Sequence, residues 1–448
     1  MYKKLEDYKE HLIDLVEENS YIDPSIYAKK NIKRGLRNAD QTGVLVGVTK
    51  IADVHGYRKE DGKKIPEIGK LFYRGISLED LCRGYRSERR SGFEEVCFLL
   101  LFGKLPSYEE LEEFLELINI NQKLPKFFIE DSILKTPSEN IMNKLQSVLL
   151  SLYSYDKDPD SLDLSHQLEQ AISIISKMPL LVAYSYMAKK YYFDRESLIL
   201  HNALDARPFS ENILHLTRND GKFTKEEAQL LDICLIVHAD HGGGNNSAFT
   251  THVVSSTGTD FYSAISAAIG SLKGPRHGGA NKKAYEMIEH IAENVDIENE
   301  KQIYDYLNKI FDKEAFDKSG LIYGMGHAVY TLSDPRTEIL KENGREVAIA
   351  KGMYEKFHFI ELIEKTSKQI FKERFGDDFK ICANVDLYSG FIYKMLGLSE
   401  DLFTPIFTIA RTAGWCAHRI EQIRDKKIMR PAYLTISEEN EYVPLEKR

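Results

Sequence analysis

Three glycine-flanked stretches in the second half of this chain each carry one side chain able to move or hold a proton. They are His277 in Gly274-Pro275-Arg276-His277-Gly278-Gly279-Ala280-Asn281, His327 after Gly324-Met325-Gly326, and Asp386 in Asn384-Val385-Asp386-Leu387-Tyr388-Ser389-Gly390. Glycine lets backbone approach a ligand closely. Taken alone, His277 could equally be a turn residue bonding its own backbone. Together, two imidazoles and a carboxylate can take a proton from carbon and hold the oxyanion that forms. Arg336 in Asp334-Pro335-Arg336, Arg411, and Arg430 before Pro431 add fork-shaped cations that grip carboxylates bidentately. The set suits carbanion chemistry beside a small anionic substrate.

A fourth stretch, His238-Ala239-Asp240-His241 running into Gly242-Gly243-Gly244-Asn245-Asn246, admits three readings. It could be a metal site, although no Cys or acid at ligand spacing completes the set. It could place a histidine on the last carbonyls of a helix, or let His241 bind an anionic substrate. Neither Gly242-Gly243-Gly244 nor Gly324-Met325-Gly326 completes Gly-x-Gly-x-x-Gly, and no Gly-Lys-Ser/Thr ends a phosphate loop, which argues against nucleotide-binding folds. No Gly-x-Ser-x-Gly elbow supports a hydrolase.

The elements that must position these residues read as mainly helical from about residue 77. Ser107 with Glu110, and Thr224 with Glu227, are capping-box patterns that open helices, the second running to about His238 and apolar on nearly every side. Ala284, Met287, Ile288 and Ile291 follow helical spacing, which puts His277 at or just before a helix start. The charged run from Glu338 to Phe375 predicts two or three solvent-facing helices, and another helix begins near Pro405 and carries Arg411. On that helix Ala410, Ala413, Gly414 and Ala417 form a small-residue stripe for close packing, between subunits or within the chain. Strands are expected near the front, over Gly43 to Ile51, with a turn about Asp61-Gly62. Gly274 to Gly279 and Gly390 are placed to serve as hinges.

The 448 residues allow two to four domains and a core that closes without staples. With 69 acids against 60 bases the formal charge is −9, so no global field draws nucleic acid or an anionic membrane. Five scattered cysteines without a Cys-x-x-Cys pair fit a reducing, cytoplasmic setting. The first residues lack the apolar core of a secretory signal, and no apolar run is expected to reach the length that spans a bilayer.

The stretches around His277, His327 with Asp334-Pro335-Arg336, and Asp386 resemble the active-site signatures of the citrate synthase family. The similarity extends to His238-Ala239-Asp240-His241, to Phe72-Tyr73-Arg74-Gly75-Ile76, and to the run from Phe93 to Pro106, in the same order over most of the chain. It implies a helical two-domain fold with a small N-terminal β element. The large domain takes 1–283 and 391–448 and the small mobile domain 284–390. Two subunits make the working unit, a larger assembly staying open.

By the same resemblance, acetyl-CoA joins oxaloacetate and the thioester is hydrolysed, with no metal and no cofactor. The family pattern makes Asp386 the base, His277 the donor to the enolate, and His327 the donor to the ketone of oxaloacetate. His241, Arg336, Arg411 and, from the other subunit, Arg430 hold its carboxylates. Lys273, Arg276, Leu321, Gly324 and Gly326 are candidates for CoA. Met325 and Thr331 depart from the commoner family residues, aromatic and basic respectively. Propionyl-CoA, as in 2-methylcitrate synthase, is the alternative substrate; a scaffold without chemistry is opposed by the intact set.

Overall fold

The computed structural model describes residues 9–61, 63–437, 439 and 441–447. The chain separates into two compact units, residues 1–48 with 61–64, and residues 49–60 with 65–448.

The first unit holds α1 (Lys9–Ser20) and α2 (Ser25–Lys29). α1 buries none of its residues. The stretch expected as a strand, Gly43 to Ile51, is not one. Gly43 forms only an isolated bridge with Arg37, and Leu45 and Val48 stand 95% and 96% exposed. Alternating apolar residues show that two faces differ, but a strand also needs a partner for its backbone N–H and C=O groups.

The sheet begins one residue later, with β1 (Ala52–Glu60), β2 (Lys63–Tyr73) and β3 (Ile76–Ser77) in the order β1-β2-β3. β2 and β3 are antiparallel, with Phe72 opposite Ser77. Glu67 of β2 reaches both Arg58 and His55 of β1, at 2.9 and 2.6 Å. The expected turn falls between β1 and β2: Asp61 takes a left-handed φ of 49°, while Gly62 lies outside the described residues.

The second unit is otherwise helical. Its helices are α3 (Leu78–Glu88), α4 (Phe93–Phe102), α5 (Tyr108–Asn121), α6 (Ile141–Leu152), α7 (Leu164–Tyr192), α8 (Phe209–Thr217) and α9 (Lys225–His238). They continue with α10 (Asn246–Ser255), α11 (Phe261–Lys273), α12 (Ala280–Ala292), α13 (Glu300–Phe311), α14 (Pro335–Ala350), α15 (Tyr354–Phe375), α16 (Asp386–Met395) and α17 (Phe403–Asp425). Both capping boxes form, with Ser107 starting α5 and Thr224 starting α9. The charged run after Glu338 folds as two helices, α14 and α15. Ala284, Met287, Ile288 and Ile291 are the buried stripe of α12, as their spacing predicts.

α17 is the centre of the packing. It lies against α4, α7, α9, α10 and α11, and buries Arg411, Trp415 and Arg419 completely. Its small stripe works within the chain at Gly414, where a Cβ would stand 2.6 Å from the Ala239 carbonyl and 2.3 Å from Asp240 Oδ2. α16 packs on α12 and α14. Gly390 lies inside α16, where a Cβ would come within 3.0 Å of Asn281 and Tyr285, so its small size serves that packing.

α7 corrects one expectation, since by length and composition it could cross a bilayer. Most of that apolar stretch is instead buried among neighbouring helices. All five cysteines are buried free thiols.

Candidate active site

α9 ends at His238, and the chain turns through residues 239–244 before α10. Tyr73 of β2 fixes the turn: its buried hydroxyl donates to Ile236 O at 2.9 Å and accepts the Asp240 N–H at 3.3 Å. Gly242 turns the corner at φ +76°, a conformation that favours glycine. His241 leaves this turn toward the loop of His327, with ring centroids 5.1 Å apart.

His327 has both backbone N–H groups of Val329 and Tyr330 on its Nδ1, at 3.0 and 3.1 Å. Nδ1 is therefore an acceptor, and the proton of the neutral ring belongs on Nε2. Arg336 Nη2 lies 3.4 Å from that Nε2. An oxygen lying between them could take a hydrogen bond from each. Arg336 is held bidentately by Asp334, the N-cap of α14, with Nε to Oδ1 at 3.0 Å and Nη2 to Oδ2 at 2.7 Å. Both side chains are buried.

His277 sits in the turn before α12, which closes because Gly278 packs on Leu272, where a Cβ would stand at 2.8 Å. Its Nε2 is 3.1 Å from both Asn245 Oδ1 and Ser247 Oγ. Asn245 is the N-cap of α10, and Ser247 also accepts the indole N–H of Trp415 on α17 at 3.1 Å. Three elements thus fix one imidazole. Burial, then Arg411 and Arg336, draw its pKa down to about 4, so it is neutral at physiological pH.

Asp386 opens α16. The strand-like contact beneath it joins the Gly324 and Asn384 loops: Asn384 N–H donates to Gly324 O, and Asn384 Nδ2 to Gly326 O, both at 2.8 Å. Asn384 Oδ1 in turn accepts the Asp386 N–H at 3.0 Å. Gly324 adopts φ +82° with Leu387 pressed against it, where a Cβ would lie at 2.7 Å. Loss of water raises the Asp386 carboxyl to about 7, with Arg336 opposing and Asp334 reinforcing the rise. A carboxylate near neutrality is a stronger base than an exposed one.

Arg411 completes the cluster from α17. Its Nε donates to His238 O at 2.7 Å, while Nη1 and Nη2 are buried with no acceptor in the chain. Burial lowers its pKa to about 10, so it remains charged at neutral pH. His241 Nε2 and both nitrogens of His238 are likewise buried and unpartnered. Burial followed by Arg336 holds both rings well below their ordinary pKa, with Arg411 adding to it. Orphaned buried donors beside two guanidinium groups mark a place for a polyanionic ligand.

The structure therefore gathers His241, His277, His327, Arg336, Arg411 and Asp386. Arg430 stands exposed beyond α17, and no hydrogen bond or ion pair among the described residues ties it to them. Of the CoA candidates, Lys273 donates to Asn143 at 3.2 Å, Arg276 and Leu321 are exposed, and Gly324 and Gly326 both carry positive φ. Met325 pairs with Ala383, and Thr331 Oγ1 is buried without a partner. Sequence reasoning missed His238 as a cluster member, along with Asn245, Ser247 and Trp415 as supports of His277. His238 carried a signal, since it shares a short motif with His241. The serine and tryptophan carried none, being brought together only by the crossing of α10 and α17.

Comparison with known proteins shows the family. A family model described as citrate synthase, C-terminal domain, matches residues 39–432. A citrate synthase of Haloferax volcanii is 31% identical over 424 residues, covering 93% of this chain and 99% of that protein. A 2-methylcitrate synthase of Corynebacterium glutamicum is 32% identical over 395 residues, covering 86% and 94%. The crystal structure of a citrate synthase from Pyrobaculum aerophilum superposes with a TM-score of 0.74 at 28% identity, covering 93% of this chain and 95% of that one. By sequence match and by fold, the chain belongs to the citrate synthase family of acyl-CoA condensing transferases.

Proposed function

We propose that this enzyme condenses acetyl-CoA with oxaloacetate and hydrolyses the resulting thioester, releasing citrate and CoA. The observation that carries the reading is the pair of buried, acceptorless guanidinium nitrogens on Arg411, set with Arg336 and His241 around a carboxylate and a neutral imidazole. Such cations need a ligand with more than one carboxylate, and oxaloacetate is a small dicarboxylate with a ketone between them.

Asp386 removes a methyl proton from the thioester, and His277 donates to the enolate oxygen. The site favours a neutral donor there, because a charged imidazole would compete with Arg336 and Arg411 for the substrate anion. His327 Nε2–H points its proton at the ketone oxygen, and the carbonyl carbon becomes more electrophilic as that bond strengthens. His241, Arg336 and Arg411 hold the carboxylates. Arg430 is supplied by the second subunit of a homodimer. Residues 284–390 move as a small domain that closes on bound oxaloacetate, and the CoA moiety lies along Lys273, Arg276, Leu321, Gly324 and Gly326.

Propionyl-CoA is the second reading, favoured by the similar match to a 2-methylcitrate synthase. One methylene in an apolar pocket changes binding by only about 1–3 kcal/mol. The test is CoA release from each thioester with oxaloacetate present. A higher kcat/KM for acetyl-CoA is expected; a preference for propionyl-CoA would move the enzyme to the second reading. Release from neither would leave a helical scaffold that has lost its chemistry.

A further inference from the structure

Behind the turn that carries His241 lies a line of four buried polar side chains outside the set described above: Asp240, His418, His252 and Gln422. Asp240 and His418 are 0% exposed, and His252 is 8% exposed. His418 Nε2 lies 3.1 Å from Asp240 Oδ2, His418 Nδ1 lies 3.1 Å from His252 Nε2, and His252 Nδ1 lies 3.0 Å from Gln422 Oε1.

Gln422 uses its amide nitrogen on Lys427 O, at 3.3 Å, so its oxygen faces His252 Nδ1. Burial and then the neighbouring His418 hold His252 below its ordinary pKa. Burial alone would raise the Asp240 carboxyl, but His418, then Arg411 and the Gly242 amide, bring it below its ordinary value. His418 thus ties Asp240 on one side to His252 and Gln422 on the other.

Its mechanical connection is to the active-site turn. Asp240 Oδ1 accepts the Gly242 N–H at 2.8 Å, and a Cβ on Gly243 would stand 3.3 Å from His252 Nε2 and 3.7 Å from His418 Cε1. Gly414, one helical turn before His418, gives Asp240 room to reach α17. Asp240 is therefore clamped on the helix side while its neighbour His241 faces the anion cluster.

We propose that His418, hydrogen-bonded between Asp240 and His252, is a positioning residue that fixes the turn of His241 for oxaloacetate binding. The kinetic part of this proposal rests on the condensing activity assigned above; the binding part does not. The charged groups facing the pair are Asp240, Arg411 and, from α17, Glu421, whose Oε1 accepts the Lys50 N–H at 2.8 Å.

Calorimetric titration of the wild type and of His418→Gln with oxaloacetate alone tests the positioning directly. Binding about tenfold weaker in His418→Gln is expected; equal affinities would overturn the proposal. In kinetics, Asp240→Asn and His418→Gln should each raise the KM for oxaloacetate roughly tenfold, with kcat less affected. The double variant, with two amides able to hydrogen-bond in place of the carboxylate and the imidazole, should return to within about threefold of wild type. A double variant as poor as the product of the singles, or one that does not fold, would overturn it. So would a stoichiometric zinc ion found in the purified wild type and lost in His252→Gln, because His252, His418 and Glu421 offer ligand atoms within 4.8 Å of one another. Should the wild type release no CoA, the assigned activity fails while the oxaloacetate titration still decides the positioning.

Discussion

Two arginines on α17, eight residues apart, are both fully buried and both drawn down to about 10, chiefly by loss of water. Each lies over an aromatic ring, Phe407 for Arg411 and Phe261 for Arg419, but their hydrogen bonding is opposite. Arg419 gives Nε to Gln167 Oε1 at 3.1 Å, Nη1 to Ser255 Oγ at 3.2 Å and Nη2 to Thr259 O at 2.7 Å, with its guanidinium over the Phe261 ring. Arg411 gives only Nε to the chain and keeps two nitrogens without an acceptor. A fold can bury a cation by giving each guanidinium nitrogen an acceptor, as around Arg419, or leave nitrogens without one where a ligand will supply it. Burial alone therefore does not distinguish structure from function; hydrogen-bond completeness does.

The sharpest way to break this comparison is to make the same substitution twice. Arg411→Leu should lower kcat/KM by roughly 30-fold to several-thousand-fold, the equivalent of about 2–5 kcal/mol for losing one partner of a buried charge contact. It should leave unfolding in the absence of substrate unchanged or raise it, because a costly unmatched charge is gone. Arg419→Leu should do the reverse, losing about 1–3 kcal/mol of stability from its stranded acceptors while the folded fraction keeps near-normal kcat/KM. Denaturant titration and steady-state kinetics on both variants measure this. Equal stability losses would show that completeness does not separate the two sites.

A second test uses the carboxylate that faces the unmatched region. Asp386→Asn should lower kcat about 10²–10⁴-fold with oxaloacetate affinity nearly kept. In the wild type, kcat/KM should fall as pH drops below about 7, the pH at which Asp386 takes up its proton. His277 stays neutral down to about 4 and adds nothing to that limb. The stability effect has a definite sign. Because the folded pKa of about 7 lies above the ordinary 3.8, the folded state binds more protons across that window, and this group destabilises the fold as pH rises through it. Asn removes the effect, so the stability gain of Asp386→Asn over wild type should grow from pH 4 to pH 7 and then level off. A pH-independent difference in urea midpoints would refute the raised pKa.

Much of this was legible in the residues because it depends on short-range rules. Capping boxes at Ser107 and Thr224 and the stripe on α12 were written in local spacing, and they formed where expected. A small sheet near the front and its turn about Asp61 were also expected, but the strands were placed on the wrong segment. Gly43 to Ile51 alternates more cleanly than the charged segments that pair, and pairing is decided by partners rather than by either strand alone. The cluster was legible as separate motifs with glycines marking close backbone approach. Its supports were not, since Ser247 and Trp415 meet His277 only through helix crossing, and His418 stands 178 residues from the Asp240 it bonds.

A third measurement asks whether the unmatched donors are filled by the proposed substrate. A ligand that binds only the folded state at 100 times its Kd adds about 2.7 kcal/mol of stability. Oxaloacetate at saturation should therefore raise the Tm of wild type and of Arg419→Leu by a few degrees, and leave Arg411→Leu within error of its ligand-free value. A shift of the same size in Arg411→Leu would place the dicarboxylate elsewhere.

The smallest effect concerns the one predicted anion-gripping residue that this chain does not bring to the cluster. If Arg430 completes the site of the other subunit, a dimer of one Asp386→Ala chain and one Arg430→Ala chain has one pocket with both lesions and one with neither. Each parent protein is inactive. After random reassociation half the dimers are mixed and each has one good pocket of two, so two-fold symmetry predicts about a quarter of wild-type activity. Subunit exchange verified by mass spectrometry, followed by CoA release, measures it. Recovery would make Arg430 the counterpart of Arg411, an unmatched cation completed across an interface as well as by a ligand. No recovery after verified exchange would leave it an ordinary exposed arginine, and the unmatched charge of this enzyme would be confined to α17 and the loops it faces.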